Sequence, residues 1–393
     1  MVDKTTRQAT ARIVTVPAQG EPPTLRIWGM TGRERLERGL RRAGAVPGDG
    51  SEAAVVLVRE DFVYDEVLLR ALLATPGVVL IAKPGMAAAA HVAAPTGQVE
   101  AVEQSLRAGD ANAAAFAGAG LRPIDAVSLA STYNKSLRKR AAPYLIRLGS
   151  MPAIAVERRM FDGAYKGVTD FVTKRVWPWP AFHVTRLCTR AGISPNLVTA
   201  VSLVFVLAAM ALFWRGAFGA GLVCAWTMCF LDTVDGKLAR VTLRSTPFGN
   251  VFDHGIDLVH PPFWYWAWYH GLGASGLDLP DDAAFLGLLL ILIGYVGGRL
   301  QEGAFTLLLG IEMHIWRPLD SWFREITARR NPNLFILTVA TIFGGPREGF
   351  LAVAAWTALS FIFHTIRIFQ AAIGKARGAA PISWLSEPTP QAS

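Results

Sequence analysis

Four aspartates set into apolar, membrane-type sequence constrain this chain more than anything else in it. They fall in one stretch, Asp232-x-x-Asp235-Gly236-x-x-Ala239-Arg240, then Gly249-x-x-x-Asp253-x-x-x-Asp257. A charge within a membrane segment is costly and rare, so four together demand a compensating cation or a function. The spacing predicts two helices joined by a turn, with Asp232 and Asp235 at i, i+3 on one face and Asp253 and Asp257 at i, i+4 on another. Packed together, those faces converge four carboxylates on one small volume, where they cannot all stay ionised without a cation between them. Oxygen-only ligands select Mg²⁺, Mn²⁺ or Ca²⁺ over zinc or copper. Four acids suffice for two ions, an arrangement that clamps a phosphate chain and activates an attacking oxygen. Gly236 and Gly249 leave bare backbone for a bulky ligand. Arg240, one turn beyond Gly236, is placed to neutralise a phosphate oxygen. Purely structural ion pairs to Arg240 and Arg244 are the alternative, but four acids face too few bases for that.

The pattern DxxDGxxAR…GxxxDxxxD resembles the signature of the CDP-alcohol phosphotransferases, and all eight fixed positions match. The run Ser194-Pro195-Asn196-Leu197-Val198-Thr199 is similar to that family's loop-to-first-helix element, so the resemblance covers about residues 185–375. It implies an integral membrane enzyme of six transmembrane helices, acting as a homodimer, that displaces CMP from a CDP-linked alcohol with the hydroxyl of a second alcohol. It further implies that Asp232, Asp235 and Asp253 bind metal, as two Mg²⁺ or Mn²⁺ ions. Asp257 would act as general base as well as metal ligand, and Pro195, Asn196, Gly236, Ala239, Arg240 and Gly249 would line the CDP site.

Composition agrees with a membrane location, since 52% of residues are hydrophobic while 39 Lys+Arg stand against 30 Asp+Glu. Uncharged apolar runs occur at Leu197–Trp214, Gly216–Leu231, Leu258–Leu272, Ala283–Gly298, Leu334–Gly345 and Gly349–Phe363. Several fall short of the roughly 20 residues a span needs. Polar ends complete them: the second run extends to Arg240, the third starts at Gly249, and the fifth starts within the Asn331-Pro332 cap. Pro261-Pro262 is expected to kink the third helix, and the Phe263–Tyr269 aromatics fit an interfacial belt. Lys and Arg in the Arg240–Arg244, Arg299–Arg330 and Lys375–Arg377 segments, against three acids and no base in Gly271–Asp282, place both termini and the active site on the cytosolic side of a bacterial-type inner or plasma membrane. The first ten residues are polar and show no secretory signal. Cys188, Cys224 and Cys229 have no metal or redox spacing. The net charge of +9 fits an anionic membrane surface, and no nucleic-acid motif accompanies it.

Residues 1–150 have a different texture, with strand-like runs at Ala53–Val58 and Val78–Ala82 alternating with helical stretches at Gly32–Ala43 and Asp65–Leu73. That is the rhythm of a small cytosolic α/β domain. Its order resembles part of a sugar-phosphate nucleotidyltransferase, as found in front of the phosphotransferase in enzymes that make CDP-inositol and join it to inositol phosphate. The Gly-rich phosphate cradle is missing from Met1–Trp28, however, and Asp61 is the one acid at the expected metal position. A degenerate domain kept for structure, dimerisation or regulation is the expectation. Residues 151–184 read as an interfacial segment, 185–377 as the six-helix domain and 378–393 as a flexible tail. The basic run Tyr133–Arg140 reads equally as a phosphate or headgroup contact and as a solvated helix face.

For the acceptor, Arg299 and Arg317 are the candidate ligands of an alcohol or alcohol phosphate, while Arg329 and Arg330 are assigned to ordinary membrane sidedness. His254 and His260 are given packing roles. The expected reaction is metal-dependent transfer from CDP-inositol or CDP-diacylglycerol to an acceptor hydroxyl. A catalytically silent membrane scaffold is the alternative.

Overall fold

The computed structural model describes residues 11–17, 25–45, 54–82, 85–93, 97–277 and 281–386. The polar first ten residues, Asp278 of the acidic connection and the last seven residues of the tail lie outside them. The chain forms two compact units. One comprises Met1–Lys135, Arg140–Ala164 and Val241–Leu243; the other comprises Ser136–Lys139, Tyr165–Arg240 and Arg244–Ser393.

In the first unit, β1 (Arg12–Val16), α1 (Gly32–Ala43), β2 (Val55–Arg59), β3 (Phe62–Tyr64), α2 (Glu66–Ala74), β4 (Val78–Ala82), β5 (Met86–Val92), α3 (Val99–Ala108) and β6 (Arg122–Asp125) follow in order. The sheet runs β1-β2-β5-β4-β6. It is mixed, because β5 lies antiparallel to both β2 and β4 whereas β1–β2 and β4–β6 are parallel. Alternation along β2 sends Val56 and Val58 toward Leu36, Leu40, Leu69 and Leu72 of α1 and α2. Val55 and Leu57 face the opposite way, toward Val102 and Leu106 of α3. Thr31 and Glu34 form a capping box that starts α1, and Gly44, at φ 92°, ends it. Asp61 is tied to Arg59 by two bonds of 2.9 and 2.8 Å, and both side chains are buried. The one acid at the expected metal position is therefore held in an internal ion pair.

The second unit is helical. After α4 (Ala153–Gly163) of the first unit come α5 (Pro178–Arg190), α6 (Pro195–Trp214), α7 (Phe218–Val241), α8 (Pro247–Ala274), α9 (Asp281–Leu309), α10 (Pro318–Ile326), α11 (Arg330–Ile342) and α12 (Pro346–Ala376). Ser194 caps α6 by accepting from Leu197 N–H at 3.2 Å, and Thr246 caps α8 by accepting from Gly249 N–H at 3.0 Å; each is followed by Pro at the first helical turn. Four helices among the described residues are long and apolar enough to cross a membrane: Pro195–Trp214, Phe218–Val241, Ala283–Leu309 and Pro346–Ala376. α8 has the length but carries Asp253, His254 and Asp257, and α11 has only 13 residues. α8 runs unbroken through Pro261 and Pro262. Apolar side chains such as Val204, Val223, Ile293 and Leu307 remain exposed on these helices, as lipid-facing residues would.

Small residues set the helix packing. A Cβ at Gly271 of α8 would collide with the Phe213 carbonyl of α6, and one at Gly294 of α9 with Thr357 of α12. Backbone approach of this kind is how helices associate where no hydrophobic force acts between them.

Candidate active site

The turn between α7 and α8 folds the two acidic faces onto each other. Oxygens of Asp232, Asp235 and Asp253 all lie within 4.8 Å of one another. The Thr199 hydroxyl of α6 donates to Asp235 Oδ2 at 2.5 Å. Asp235 Oδ1 is buried and has no hydrogen-bond partner among the described residues. An orphaned carboxylate oxygen costs far more than a paired one, so its retention among two further acids points to a cation. Opposite ligands of an ion with bonds of ~2.1 Å stand ~4.2 Å apart, so this triangle needs little closure to hold Mg²⁺ or Mn²⁺. The donor set and spacing fit the metal.

Asp257 lies outside the triangle. Its Oδ1 accepts from Arg330 Nη1, and Arg330 Nη2 donates to Asp232 Oδ2, so one guanidinium at the start of α11 bridges the two acidic helices. This corrects the assignment of Arg330 to sidedness alone. Its only sequence signal is its place at the join of a basic loop and an apolar run. Tyr295 of α9 supports α8 by donating to the Leu258 carbonyl at 2.9 Å.

The proposed nucleotide residues gather at the same end. Gly249 sits so close to Asn196 that a Cβ there would strike Asn196 Oδ1. Pro195 offers its carbonyl 3.1 Å from the Thr199 hydroxyl. Arg240 turns back along its helix, with Nη2 3.4 Å from where a Cβ on Gly236 would stand. Ala239 is half-buried beside it on α7. Lys237, not singled out by the sequence reading, is buried with its Nζ 3.4 Å from the Tyr165 ring centre. His254 and His260 each donate from Nδ1 to a carbonyl of their own helix, Asn250 at 2.9 Å and Ile256 at 2.7 Å. His254 Nδ1 also lies 3.7 Å from Asp253 Oδ2.

The two acceptor candidates part company. Arg299 lines a narrow, partly open recess with Tyr295, Glu302, Arg329, Ser360 and His364. Arg317 is exposed at the start of α10, its guanidinium stacked 4.5 Å over the Trp316 ring. Arg329, also assigned to sidedness, instead ion-pairs with Glu302 in that recess. Behind it, buried His314 stands 3.2 Å from Glu302 Oε1, and burial lowers the His314 pKa to about 3 against the opposing pull of Glu302. Asp170 is buried too. Burial alone would raise its pKa, but Arg324, the Thr173 N–H and Asn331 outweigh it and hold it low.

Residues 192–296, which include all eight positions of the motif, match the family model described as CDP-alcohol phosphatidyltransferase. An archaetidylinositol phosphate synthase of Pyrococcus horikoshii is 27% identical over 195 residues, covering 49% of this chain and 90% of that protein. A cholinephosphotransferase 1 of Gallus gallus is 30% identical over 134 residues, 31% of this chain and 39% of that protein. A phosphatidylinositol phosphate synthase of Streptomyces avermitilis is 33% identical over 90 residues, 23% of this chain and 35% of that protein. The match to the last two thus spans little more than a third of their length.

Proposed function

Because the chain carries a CDP-alcohol phosphatidyltransferase domain, we propose that it transfers a phosphoalcohol from a CDP-alcohol to an acceptor hydroxyl and releases CMP. The observation that carries this reading is the triangle of Asp232, Asp235 and Asp253 with its buried, unpartnered Asp235 oxygen. These acids, with Asp257, would hold Mg²⁺ or Mn²⁺ as two ions, which neutralise the donor's diphosphate and the departing CMP.

The chain's own groups do the rest. Asp257, held in place by Arg330, accepts the acceptor's hydroxyl proton. The freed oxygen attacks the β-phosphorus, a new P–O bond forms, and the bond to the oxygen bridging the two phosphorus atoms breaks. That bridging oxygen leaves with CMP. Gly236 admits the nucleotide to bare backbone, Gly249 lets Asn196 seat against α8, and Arg240 faces the phosphates. Arg330 holds Asp232 and Asp257 at fixed separation, so the metal-binding and proton-accepting acids are oriented before substrate arrives.

One relative is named archaetidylinositol phosphate synthase and another phosphatidylinositol phosphate synthase. Their names, with the Arg299- and Arg329-lined recess, favour a lipid-linked CDP donor and a phosphorylated polyol acceptor, over CDP-inositol as the donor. The reading includes six spans, with α8 and α11 joining the four apolar helices. It also includes a homodimer with both termini and the active site on the cytosolic face. The N-terminal unit would act without nucleotidyltransferase chemistry.

The test is Asp257→Asn in purified protein. Turnover should fall by about 10²–10⁴, the usual worth of a general base, while CDP-alcohol binding stays within about twofold. Near-normal turnover would remove Asp257 from the mechanism.

A further inference from the structure

Lys166 and Arg324 are cations for which the proposed reaction has no task. Lys166 stands three residues after α4, where Gly167 fixes the local backbone. The Gly167 N–H donates to the Leu137 carbonyl at 2.8 Å. A Cβ at Gly167 would lie 2.6 Å from the Arg138 carbonyl oxygen, an approach only glycine allows. The turn at Ser136–Lys139 therefore lies flat against residues 166–168. Arg138 itself takes a left-handed φ of 48°, uncommon for a residue with a side chain. It pairs with Glu312 at 2.5 Å and keeps 24% of its side chain exposed, so this cluster opens to solvent.

Arg324, on α10, is the buried member at 8% exposure. Its Nε and Nη1 are buried without a hydrogen-bond partner among the described residues. Asp170 is the nearby carboxylate, but it accepts from Thr173 N–H at 3.0 Å and Asn331 Nδ2 at 2.9 Å, and no hydrogen bond joins it to Arg324. Arg329, the next cation, is occupied by Glu302. Lys174 Nζ lies 2.5 Å from Glu325 Oε1, which lays the segment following Lys166 against α10 beside Arg324. Burial, with Arg240, Arg138 and Arg324 and against the pull of Asp232, lowers the Lys166 pKa to about 8, and burial lowers that of Arg324 to about 9.

A buried guanidinium with two idle donors is among the costlier things a fold can keep. Its planar fork matches two oxygens of one oxyanion, and an ammonium beside it adds a point charge. We propose that Arg324, Lys166 and Arg138 form a phosphate-binding site. The ligand chemistry is a phosphate oxyanion, from either a soluble phosphate or the headgroup of an anionic lipid. The site stands whether or not the acid cluster transfers a phosphoalcohol.

The experiment uses the full chain in nanodiscs without divalent cations, with thermal unfolding as the readout. In phosphatidylcholine discs, inorganic phosphate should raise the unfolding temperature saturably. Arg324→Gln and Lys166→Gln should each raise the half-saturating concentration at least tenfold. A parallel series replaces part of the phosphatidylcholine with phosphatidylglycerol. Stabilisation by that lipid alone, lost in both variants, identifies a headgroup site; an unchanged phosphate response in those discs identifies a soluble ligand. A phosphate or lipid response that is equal in parent and variants, or absent in both series, overturns the proposal. CDP binding with Mg²⁺, measured on the same samples, reports separately on the transferase reading.

Discussion

Asp235→Asn separates the cost of the acid cluster from its purpose. Oxygens of Asp232, Asp235 and Asp253 lie within 4.8 Å of one another. Two unit charges at that separation repel by about 3 kcal/mol at an effective dielectric constant near 20. Asp235 takes part in two of the three pairs, so neutralising it relieves on the order of 5 kcal/mol, part of which protonation already relieves in metal-free protein. Asn is isosteric and still accepts from Thr199, which confines the change to charge. The expected result is an unfolding temperature in EDTA equal to or above that of the parent. Saturating metal should do the reverse. At a hundredfold excess over Kd, an ion bound only by the folded state stabilises by ~2.7 kcal/mol, on the order of 5 °C for a chain of this size. The parent should show that rise with Mg²⁺ or Mn²⁺, and the variant should need at least ten times more metal to approach it. The assay is tryptophan-fluorescence unfolding in detergent across a metal titration. An unchanged metal response, or a variant less stable than the parent in EDTA, would refute the electrostatic reasoning.

Three further outcomes follow from named contacts. Arg330→Gln removes the bridge between Asp232 and Asp257 and should cut turnover at least tenfold with little change in CDP binding; an equal loss of both would make Arg330 structural. Asp61→Asn leaves Arg59 as an uncompensated buried charge and should cost about 3–5 kcal/mol, seen as faster proteolysis within residues 54–93 of the full chain. His314 has its pKa lowered to about 3 by burial, amid Glu302, Arg329, Arg324 and His364. A depressed histidine is neutral in the fold, so its contribution is complete above about pH 6.5 and is lost as pH falls from there toward 3. The slope is at most about 1.4 kcal/mol per pH unit. Unfolding temperatures at pH 7 and 5 should therefore diverge less in His314→Gln than in the parent.

Much of the fold follows from local signals. Thr31, Glu34 and Gly44 mark α1 at both ends, and the helix spans the expected Gly32–Ala43. The polar extension of the second apolar run, taken to Arg240, meets a helix ending at Val241, and the third starts at Pro247 against an expected Gly249. Three of the four acids came together, because a capped turn of a few residues leaves the two helices little else to do, while Asp257 stands apart and joins Asp232 only through Arg330. What was not legible depends on distant parts of the chain. Arg330 reaches Asp232 and Asp257 across 98 and 73 residues, and nothing at position 330 distinguishes it from a sidedness arginine. β5, Met86–Val92, is four alanines with Met, His and Val, a weak strand sequence placed by its neighbours. Its antiparallel pairing turns an expected α/β rhythm into a mixed sheet. Thr199 was read only as part of a loop-to-helix element, yet it is the residue that fixes Asp235.

CMP release tests the central claim most directly. Detergent-purified protein would be given Mg²⁺ or Mn²⁺ with CDP-diacylglycerol or CDP-inositol, each paired with inositol phosphate, glycerol phosphate or a lipid alcohol. The account predicts CMP release that requires the metal, requires an acceptor, is strongest for the lipid-linked donor with a phosphorylated polyol, and disappears in Asp257→Asn. CMP release from no pair, by protein that is folded and still binds CDP, would contradict it and leave the motif as a binding scaffold.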